Sequence, residues 1–564
     1  MTASAPAPAV LADAVTSDER RRAYAEAGLW DSSTLAGRVG EHARTRPDDI
    51  AVIDAGGRYS YRRLAADAAS LAAAWAQRGI GAGAVVSIQL PNRYEAVVAA
   101  VATQSLSAVV NPLLPNYRHH ELAGLFTTAT PAVVVTPGTY RAFDHLPLTA
   151  GAVRAAGVEP LHVVVDGRPP AGGVELAALV AEGAGATAEP NTGRAESVSE
   201  LIFTSGTEAR PKAIMHTEQT ANFSVRVAGE DLGIEPGDVV WMPSPVGHST
   251  GFNYGVRFAL YHGLRLVLQD VWDAAAAVDL VDTHGCSYTL AATTFLQDLV
   301  AAAERAGRKL PNLRLFGCGG APVPPPLVDA AAGRGIGVLR LYGSTEVLVG
   351  TWNRPGSPLE KRRATDGCPM SSVEIEVRGE GGGPVGAGEP GELFVRGPNT
   401  CVGFFADPER TAATFDAEGW VRSGDLVSLD RDGYLTVVGR KKEIIIRGGM
   451  NIAPREIEGL MLEFPEVERV AVVGLPDERL GERMCACVVP VPGARLDLAT
   501  VVARLRDGGL ATYKLPERLE VLDALPSTAS GKVQKHEIVR ILTAGAGRDG
   551  SVAEAGAPGG VGGG

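Results

Sequence analysis

Short apolar runs and amphipathic stretches alternate along the first part of the chain, up to about residue 370. Residues 51–54 predict a strand, residues 61–78 an amphipathic helix and residues 84–90 a second strand. Similar apolar runs predict strands at 132–136, 161–166, 201–203, 239–242, 264–268 and 313–316. Because strands that alternate with helices build parallel sheets, the pattern predicts an α/β fold.

The pattern changes after about residue 370. Residues 373–377 and 392–396 alternate between apolar and polar positions on either side of a Gly/Pro-rich stretch, which predicts an antiparallel β section. Gly381, Gly383 and Gly386 in that stretch match G-x-G-x-x-G. A β run follows them instead of a helix, so we expect a hairpin loop and no dinucleotide site.

A third region of about 100 residues, the size of one small domain, starts near Arg440. Its pattern predicts helices at 455–463 and from Ala499, and strands at 470–473 and 484–489. The Gly/Ala-rich residues from 545 onwards predict a disordered tail, because they offer little apolar surface to bury. Residues 1–30 read as a loose leader that ends in a short helix.

Composition narrows the possible partners and compartment. The 564 residues carry a net charge of −12 without a long Lys/Arg block, which argues against nucleic acid or an anionic membrane as the main partner. The six cysteines show neither C-x-x-C nor zinc spacing, as expected for reduced thiols. No apolar run approaches the ~20 residues needed to span a bilayer, and the N-terminus has no basic start. We therefore expect a cytoplasmic protein.

The most informative stretch lies at 201–217, where a short apolar strand runs into a loop rich in hydroxyls and glycine. The polar groups are Thr204, Ser205, Gly206 and Thr207, followed by Lys212. Backbone N–H groups, hydroxyls and an ammonium all donate to phosphate oxygen, so the loop predicts a nucleoside triphosphate site. A plain polar turn is the alternative. The loop is no Walker motif, because Ala213 follows the lysine where Ser or Thr would hold magnesium.

Two further stretches offer carboxylates after glycine turns. Residues 341–346 end in Glu346, which can ligate Mg²⁺, a cation that prefers carboxylate and phosphate oxygens. The alternative is a capping turn before a helix. Residues 419–425 end in Asp425, which can accept hydrogen bonds from a ribose diol, and here the alternative is an Asx turn.

Two basic stretches complete the set. Residues 439–451 read as a charged linker, an apolar strand and a glycine pair, or simply as a basic interdomain linker. Residues 525–533 form a Ser/Thr/Gly loop that isolates Lys532, which is otherwise a mobile surface lysine. Each plain alternative is reasonable alone, but all five stretches in this order favour a nucleotide-using enzyme.

A competing motif is G-x-S-x-G at 247–251, which is typical of the nucleophile elbow of serine hydrolases. That elbow needs a tight turn directly between a strand and a helix. Pro243 and Pro245 intervene between the predicted strand and Ser249, so a hydrolase is the weakest candidate.

Together the five stretches resemble the adenylate-forming (AMP-binding) superfamily of acyl-CoA synthetases, aryl-CoA ligases, luciferases and peptide-synthetase adenylation domains. The resemblance covers about 31–543. Glu208, Ala209 and Ala213 depart from the family's T-S-G-T-T-G-x-P-K-G loop. The resemblance implies an N-terminal domain at 31–439 of two α/β lobes plus a β-barrel section. It also implies a hinge at 440–442, a small mobile α+β domain at 443–543 and a tail at 544–564.

The resemblance also implies a role for each matching residue. The phosphate loop is matched by Thr204, Ser205, Gly206, Thr207 and Lys212, and the walls of the adenine and acyl sites by Gly319, Gly320, Ala321, Pro322, Tyr342, Gly343 and Ser344. Thr345 matches the α-phosphate contact, Glu346 the magnesium ligand, and Asp425 with Arg440 the ribose site. Lys442 matches the hinge, Gly449 the thiol tunnel, and Lys532 the catalytic lysine.

The implied reaction uses ATP and Mg²⁺ to adenylate a carboxylic acid, releases pyrophosphate, and passes the acyl group to CoA. Residues 243–254 and 111–121 look most like those of enzymes for aryl, cyclic or medium-length acids, with His248 and Phe252 near the acyl group. No acidic residue in these stretches is placed to pair with an α-amine, which weakens the peptide-synthetase alternative. A carrier protein acting in trans, nitrite activation by a diazotase, and a non-catalytic nucleotide-binding regulator stay open.

Overall fold

The chain divides into two compact units, and the main division lies between Lys441 and Lys442. The structure is a computed structural model that describes residues 16–185, 194–204, 212–448, 450–528 and 532–545. The first unit holds the chain up to Lys441 together with Lys532, and the second holds the remainder. The residues predicted to act as a hinge, 440–442, span this division, and hinge motion itself stays a prediction.

The first part of the first unit alternates helices and strands. Its elements are α1 (Asp18–Glu26), α2 (Leu35–Thr45), β1 (Ile50–Asp54), β2 (Gly57–Ser60), α3 (Tyr61–Ala76), β3 (Val85–Ile88), α4 (Tyr94–Ser105), β4 (Val109–Pro112), α5 (His119–Ala129), β5 (Val133–Pro137), β6 (Thr139–Tyr140), β7 (Phe143–Asp144), α6 (His145–Ala156), β8 (Leu161–Val165), β9 (Val174–Glu175) and α7 (Leu176–Glu182). The predicted strands and helix in this part are confirmed to within a few residues.

The alternation continues to residue 369. The elements are β10 (Val198–Thr204), β11 (Lys212–Thr217), α8 (Glu218–Leu232), β12 (Val239–Met242), α9 (Ser249–Gly251), α10 (Phe258–His262), β13 (Arg265–Leu268), α11 (Ala274–His284), β14 (Tyr288–Ala291), α12 (Thr293–Arg305), β15 (Leu315–Gly319), α13 (Pro325–Gly333), β16 (Val338–Ser344), β17 (Leu348–Trp352), α14 (Leu359–Ala364) and β18 (Cys368–Pro369). A π-helical segment, Phe252–Arg257, joins α9 to α10.

The first unit ends in an antiparallel section of β19 (Glu374–Arg378), β20 (Gly391–Arg396), α15 (Pro408–Thr414), β21 (Val421–Leu429) and β22 (Leu435–Arg440). The second unit contains β23 (Ile445–Arg447), β24 (Met450–Ile452), α16 (Pro454–Met461), β25 (Val467–Asp477), β26 (Gly481–Pro490), α17 (Leu498–Asp507), β27 (Arg518–Val521) and α18 (Lys535–Gly545).

Two large sheets form the lobes of the first unit. One has nine strands in the order β18-β17-β16-β15-β14-β12-β13-β1-β2, and its inner strands from β16 to β1 run parallel. The other has seven strands in the order β11-β10-β4-β3-β5-β8-β9, with β11 antiparallel at its edge. Strands buried on both faces must be apolar throughout, which explains the continuous Val/Ile/Leu runs. The predicted α/β class is confirmed.

The section predicted as a β-barrel is an open four-stranded antiparallel sheet in the order β19-β20-β21-β22. No barrel closes within the ranges that the structure describes. Gly381, Gly383 and Gly386 lie between the antiparallel strands β19 and β20, so they belong to a hairpin loop, as predicted.

The second unit is a small α+β domain. Its sheet has the order β24-β23-β26-β25, and β27 pairs in parallel with β26. Met461 of α16 and Leu505 of α17 contribute to one apolar cluster, and Ile538 of α18 contributes to another. Throughout the described part of the chain, the helices are too short or too polar to cross a membrane.

Candidate active site

Several predicted site residues follow neighbouring strands of the nine-stranded sheet. Strands β12, β14, β15 and β16 are adjacent and parallel, so their carboxyl ends meet at one edge. His248 follows β12, Gly320 follows β15 and Thr345 follows β16. In open α/β sheets ligands bind beyond the carboxyl ends of the strands, and this edge is therefore the candidate site.

Two glycines allow the backbone to come close at this edge, and a third allows a tight bend. A Cβ on Gly319 would lie 2.5 Å from the Leu341 carbonyl oxygen, and a Cβ on Gly343 would lie 2.2 Å from the Leu348 carbonyl oxygen. Gly320, which precedes Ala321 and Pro322, has a φ of +79°, a conformation that favours glycine. The glycine pattern thus serves strand packing and a tight bend beside the site.

Asp425 is the most firmly held acidic residue of the candidate site. Its carboxylate accepts a 2.8 Å hydrogen bond from the Tyr342 hydroxyl and lies 3.1 Å from Nε of Arg440, the residue opposite it on β22. Burial, and then the charge of Asp425, raise the pKa of Tyr342 well above its usual range, so the tyrosine stays a donor. Asp425 is itself 4% exposed, and a carboxylate oriented in this way can accept further hydrogen bonds.

Ser344, Thr345 and Glu346 form the turn from β16 into β17. Because an antiparallel strand follows, the alternative of a cap before a helix is wrong here. The Thr345 carbonyl lies 2.7 Å from Nε2 of His216, and the Glu346 carbonyl accepts a 2.7 Å hydrogen bond from the backbone N–H of Cys401. The backbone of this turn is therefore fixed on both sides.

The predicted phosphate loop begins and ends in the β10–β11 hairpin. Thr204 and Lys212 are opposite each other where the strands join the loop, while Ser205, Gly206 and Thr207 lie outside the described residues. The Met215 N–H donates to the Gly403 carbonyl at 3.0 Å. Residues 401–403 thus bond both to the strand that carries Lys212 and to the turn that carries Glu346, and they hold the two together.

His248 starts the short helix α9, and its Nδ1 accepts a 3.2 Å hydrogen bond from the Thr250 N–H. Burial, and secondarily the charge of Lys532, lower the pKa of His248 to about 4. The imidazole is therefore neutral near pH 7, and its hydrogen sits on Nε2 because Nδ1 is an acceptor. Lys532 is exposed and is grouped with the first unit, and its place in the reaction stays a prediction.

The serine-hydrolase motif lacks the geometry of a nucleophile elbow. Residues 243–248 separate the end of β12 from Ser249, so no direct strand-to-helix turn exists. His248 uses Nδ1 to cap its own helix instead of orienting a nucleophile. Phe252, predicted near the acyl group, is buried in the π-helical segment.

Among the described residues, no group of three or more His, Cys, Asp or Glu side chains is arranged to hold a metal ion. Mg²⁺ in nucleotide sites is usually held by one or two carboxylates and by substrate phosphates. A single carboxylate such as that of Glu346 fits that chemistry, so the residues present are compatible with the predicted ion.

The remaining predicted residues concern the second step. Lys442 lies in a short 3₁₀ turn, Lys441–Glu443, at the division between the units. Gly449 lies outside the described residues. Neither position by itself tests the predicted hinge or thiol tunnel.

A buried charge network that was not predicted from the sequence joins β10, α8 and the π-helical segment. Arg257 pairs with both Glu200 and Glu218, and all three side chains are at most 5% exposed. Asn253 donates to Glu200 at 3.0 Å and accepts from Arg257 at 3.1 Å. Buried charges need such partners. One sequence feature could have indicated this network: Glu200 is a single charged residue directly before the apolar run 201–203.

Two family models match the chain. Residues 39–405 match the AMP-binding enzyme family, and residues 456–532 match the AMP-binding enzyme C-terminal domain. The sequence is 37% identical over 533 residues to the medium-chain fatty-acid–CoA ligase of Escherichia coli (strain K12), covering 93% of this chain and 94% of that one. It is 35% identical over 563 residues to the 2-hydroxy-7-methoxy-5-methyl-1-naphthoate–CoA ligase of Streptomyces carzinostaticus, covering 97% and 99%.

The crystal structure of ATP-bound MatB from Rhodopseudomonas palustris superposes with a TM-score of 0.80 at 28% identity, covering 90% of this chain and 98% of that one. The fold and the lengths of the matches therefore indicate the same family. The chain therefore belongs to the AMP-binding enzyme family, as its motifs predicted, and its relatives place it among the adenylate-forming acid–thiol ligases.

Proposed function

We propose that this protein adenylates an aryl, cyclic or medium-chain carboxylic acid with ATP and transfers the acyl group to CoA. The observation that carries the proposal is the buried Asp425 carboxylate, oriented by Tyr342 and Arg440. A ribose bound there through its hydroxyls would leave its phosphates near Thr345 and Glu346, since these lie three and four residues after Tyr342. In that position the phosphates of a nucleotide would lie near the Thr345 hydroxyl, which can donate to them, and near the Glu346 carboxylate, which can bind their magnesium ion.

Adenylation must bring two anions together, because a carboxylate attacks the α-phosphorus of a triphosphate. Cations that neutralise this charge and fix an in-line geometry supply most of the catalysis. Glu346 would hold Mg²⁺, which would offset charge on the phosphates when bound. Lys212 and Thr204, opposite each other on the hairpin, flank the loop that would hold the β- and γ-phosphates.

Lys532 supplies the remaining cation. A lysine ammonium is a compact point charge suited to bridging an attacking carboxylate and a phosphate oxygen. Its charge reaches His248, whose pKa it helps to lower. The neutral His248 offers an Nε2–H donor, so we assign it to the acyl side of the site, where it would orient the carboxylic acid.

Before the thiol step, the loop that carries Lys532 has to leave the adenylation site. A passage for CoA must also open. We assign this change to rotation about Lys442, at the division between the units, with Gly449 lining the passage. Lids and hinges let one site perform two steps in succession.

The acid should be uncharged apart from its carboxylate. Residues 243–254, which follow β12, contain no Asp or Glu. Two aromatic residues in this stretch, Phe252 and Tyr254, are buried. The relatives named for a medium-chain fatty acid and for a naphthoate support this substrate class. We place the reaction in the cytoplasm, where ATP and CoA are available and where the six unpaired cysteines would stay reduced.

The test is mass spectrometry of products formed from ATP, Mg²⁺, a mixed acid library and one of three acceptors. These are CoA, a phosphopantetheinylated carrier protein, and none, with nitrite included among the substrates. We expect AMP, pyrophosphate and an aryl- or acyl-CoA. A thioester formed only on the carrier protein would show that the carrier, not CoA, is the acceptor. Consumption of nitrite alone would show that nitrite is the substrate. Absence of ATP turnover would favour a non-catalytic nucleotide-binding regulator.

A further inference from the structure

His216 has no part in the assignments above, yet it is fully buried and contacts the turn that carries Glu346. It lies on β11, directly opposite Glu200 on β10. One ring nitrogen, Nε2, lies 2.7 Å from the Thr345 carbonyl oxygen, and the other, Nδ1, lies 3.1 Å from the Thr220 hydroxyl. The ring therefore spans the distance between the phosphate-loop hairpin and the turn that carries Glu346.

The partners fix which ring nitrogen carries hydrogen. A carbonyl oxygen accepts but cannot donate, so Nε2 of His216 must be the donor to Thr345. Burial lowers the pKa of His216, which leaves the imidazole neutral and Nδ1 able to accept from Thr220. This single tautomer satisfies both contacts.

The buried charge network lies behind the ring. Glu200, the cross-strand neighbour of His216, pairs with Arg257 and accepts from Asn253, and both of these belong to the π-helical segment. Tyr254 of the same segment accepts a 2.7 Å hydrogen bond from the Val349 N–H on β17. Side chains on opposing residues of a hairpin share one face, so this network backs the His216 position from within the core.

The bonded carbonyl lies in the peptide that joins Thr345 to Glu346. Fixing a peptide plane fixes the positions of the backbone nitrogen and Cα of the next residue, the point from which its side chain leaves the backbone. Leu348, two residues after Glu346, has a φ of +52°, unusual for leucine, so this turn is held in a sparsely populated conformation that needs support.

We propose that His216 is a positioning residue: its Nε2–H holds the Thr345 carbonyl and thereby sets where Glu346 presents its carboxylate to the phosphates of ATP. The last part of this role rests on the proposed function, since it takes Glu346 as the ligand of the nucleotide's magnesium ion. The hydrogen bond and its effect on the turn do not depend on it.

Two substitutions separate the hydrogen bond from the rest of the ring. In His216→Gln the amide nitrogen reaches roughly the position of Nε2 and keeps the donor to Thr345, whereas in His216→Asn the shorter side chain leaves that carbonyl without a partner. We expect the Asn variant to raise KM for MgATP about tenfold and the Gln variant to raise it about twofold or less, with the KM for the acid changed little in either.

A readout that does not need turnover is amide hydrogen exchange of the peptide covering 343–350, followed by mass spectrometry. We expect faster exchange in His216→Asn than in wild type and near-wild-type exchange in His216→Gln. The matched control is His262→Asn, which removes a 2.9 Å contact from a partly buried imidazole to the Val225 carbonyl instead of the Thr345 carbonyl. It should leave exchange at 343–350 and the KM for MgATP as in wild type.

A double-mutant cycle with Glu346→Gln tests the coupling. If His216 acts through Glu346, the double variant should lose little more than Glu346→Gln alone. Losses that multiply, or unchanged exchange at 343–350 in His216→Asn, would overturn the role. If that variant does not fold, His216→Leu fills the space of the ring without a donor to the Thr345 carbonyl, and unchanged exchange at 343–350 in it would overturn the role equally. A protein that never adenylates an acid, yet shows the exchange difference, would refute the proposed function and leave the positioning intact.

Discussion

The hydroxyl of Tyr342 donates a 2.8 Å hydrogen bond to the carboxylate of Asp425, 83 positions further along the chain. Tyr342 belongs to β16 of the nine-stranded sheet, and Asp425 belongs to β21 of the four-stranded sheet. The contact joins the two sheets at the carboxyl edge of β16. It also orients a buried carboxylate near the residues that follow β16, and the proposed ribose site rests on this arrangement.

Asp425→Asn should therefore weaken ATP binding. The amide cannot accept on both atoms, and Arg440 loses its charged partner. Hydrogen bonds to a charged group are worth about 1.5–3 kcal/mol, so we expect KM for ATP to rise about 10- to 100-fold in an ATP–pyrophosphate exchange assay. Asp430→Asn, which removes an acidic partner of Lys361 at the far end of β21, is the control and should leave this KM unchanged. A normal KM in Asp425→Asn would contradict the ribose assignment.

Lys532→Ala should block adenylation without unfolding the protein. The side chain is exposed, so its loss leaves the core intact, while removal of one pre-organised donor usually slows a reaction about 10²–10³-fold. Pyrophosphate release measures the effect, and a thermal unfolding scan checks the fold. Lys514→Ala, which removes a lysine paired with Glu456 in the second unit, should retain wild-type pyrophosphate release. Equal rates of pyrophosphate release in the two variants would show that Lys532 is not a catalytic residue.

Local pattern predicted the elements well, because the parallel strands are short and continuously apolar. Runs such as 239–242 gave the exact bounds of β12, and the glycine stretch at 381–386 gave a hairpin loop. The order of the motifs also led to the correct family. These features depend on neighbours in sequence, which the chain displays directly.

The cross-chain contacts were not predictable in the same way. Glu200, Glu218 and Arg257 each look like an isolated charge in the sequence, and only the fold makes them partners. The π-helical segment and the bond from His216 to the Thr345 carbonyl likewise depend on tertiary packing. Periodicity describes one segment at a time, so it cannot reveal which distant segments meet.

Buried neutral histidines should make the protein less stable in acid. Burial, and then the charge of Arg118, lower the pKa of His145 to about 4, against about 6.5 in an unfolded chain. Between these values the unfolded state binds a proton that the folded state does not, so stability is full above about pH 6.5 and falls as the pH drops towards 4. His145→Leu should reduce this slope by up to about 1.4 kcal/mol per pH unit.

Urea unfolding followed by tryptophan fluorescence at several pH values between 5 and 7.5 measures that slope. Exposed His536→Gln serves as the surface control. An unchanged slope in His145→Leu would mean that this imidazole titrates alike in the folded and unfolded states.

Gly343→Ala should damage the nucleotide site through the backbone. The added methyl group would meet the Leu348 carbonyl oxygen at 2.2 Å, so the turn carrying Thr345 and Glu346 has to shift. We expect kcat/KM for ATP to fall about 10- to 100-fold, in line with the 1–3 kcal/mol cost of overpacking. Gly350→Ala is the matched control, since its methyl group would approach the Tyr342 ring no closer than 3.8 Å. Comparable losses in the two variants would show that steric pressure on the turn is not the cause.

Lys442→Pro should separate the two half-reactions. Proline fixes φ near −65° and removes a backbone N–H, so it restricts rotation at the residue where the second unit begins. If adenylation and thioester formation need different arrangements about this residue, adenylation measured by pyrophosphate release should persist. CoA thioester formation, measured by mass spectrometry, should then fall at least tenfold. Lys442→Ala removes the charge and keeps the rotation, so it should support both steps. A proline variant that loses both steps equally, while Lys442→Ala keeps them, would place the restriction before adenylation and argue against hinge control of the second step.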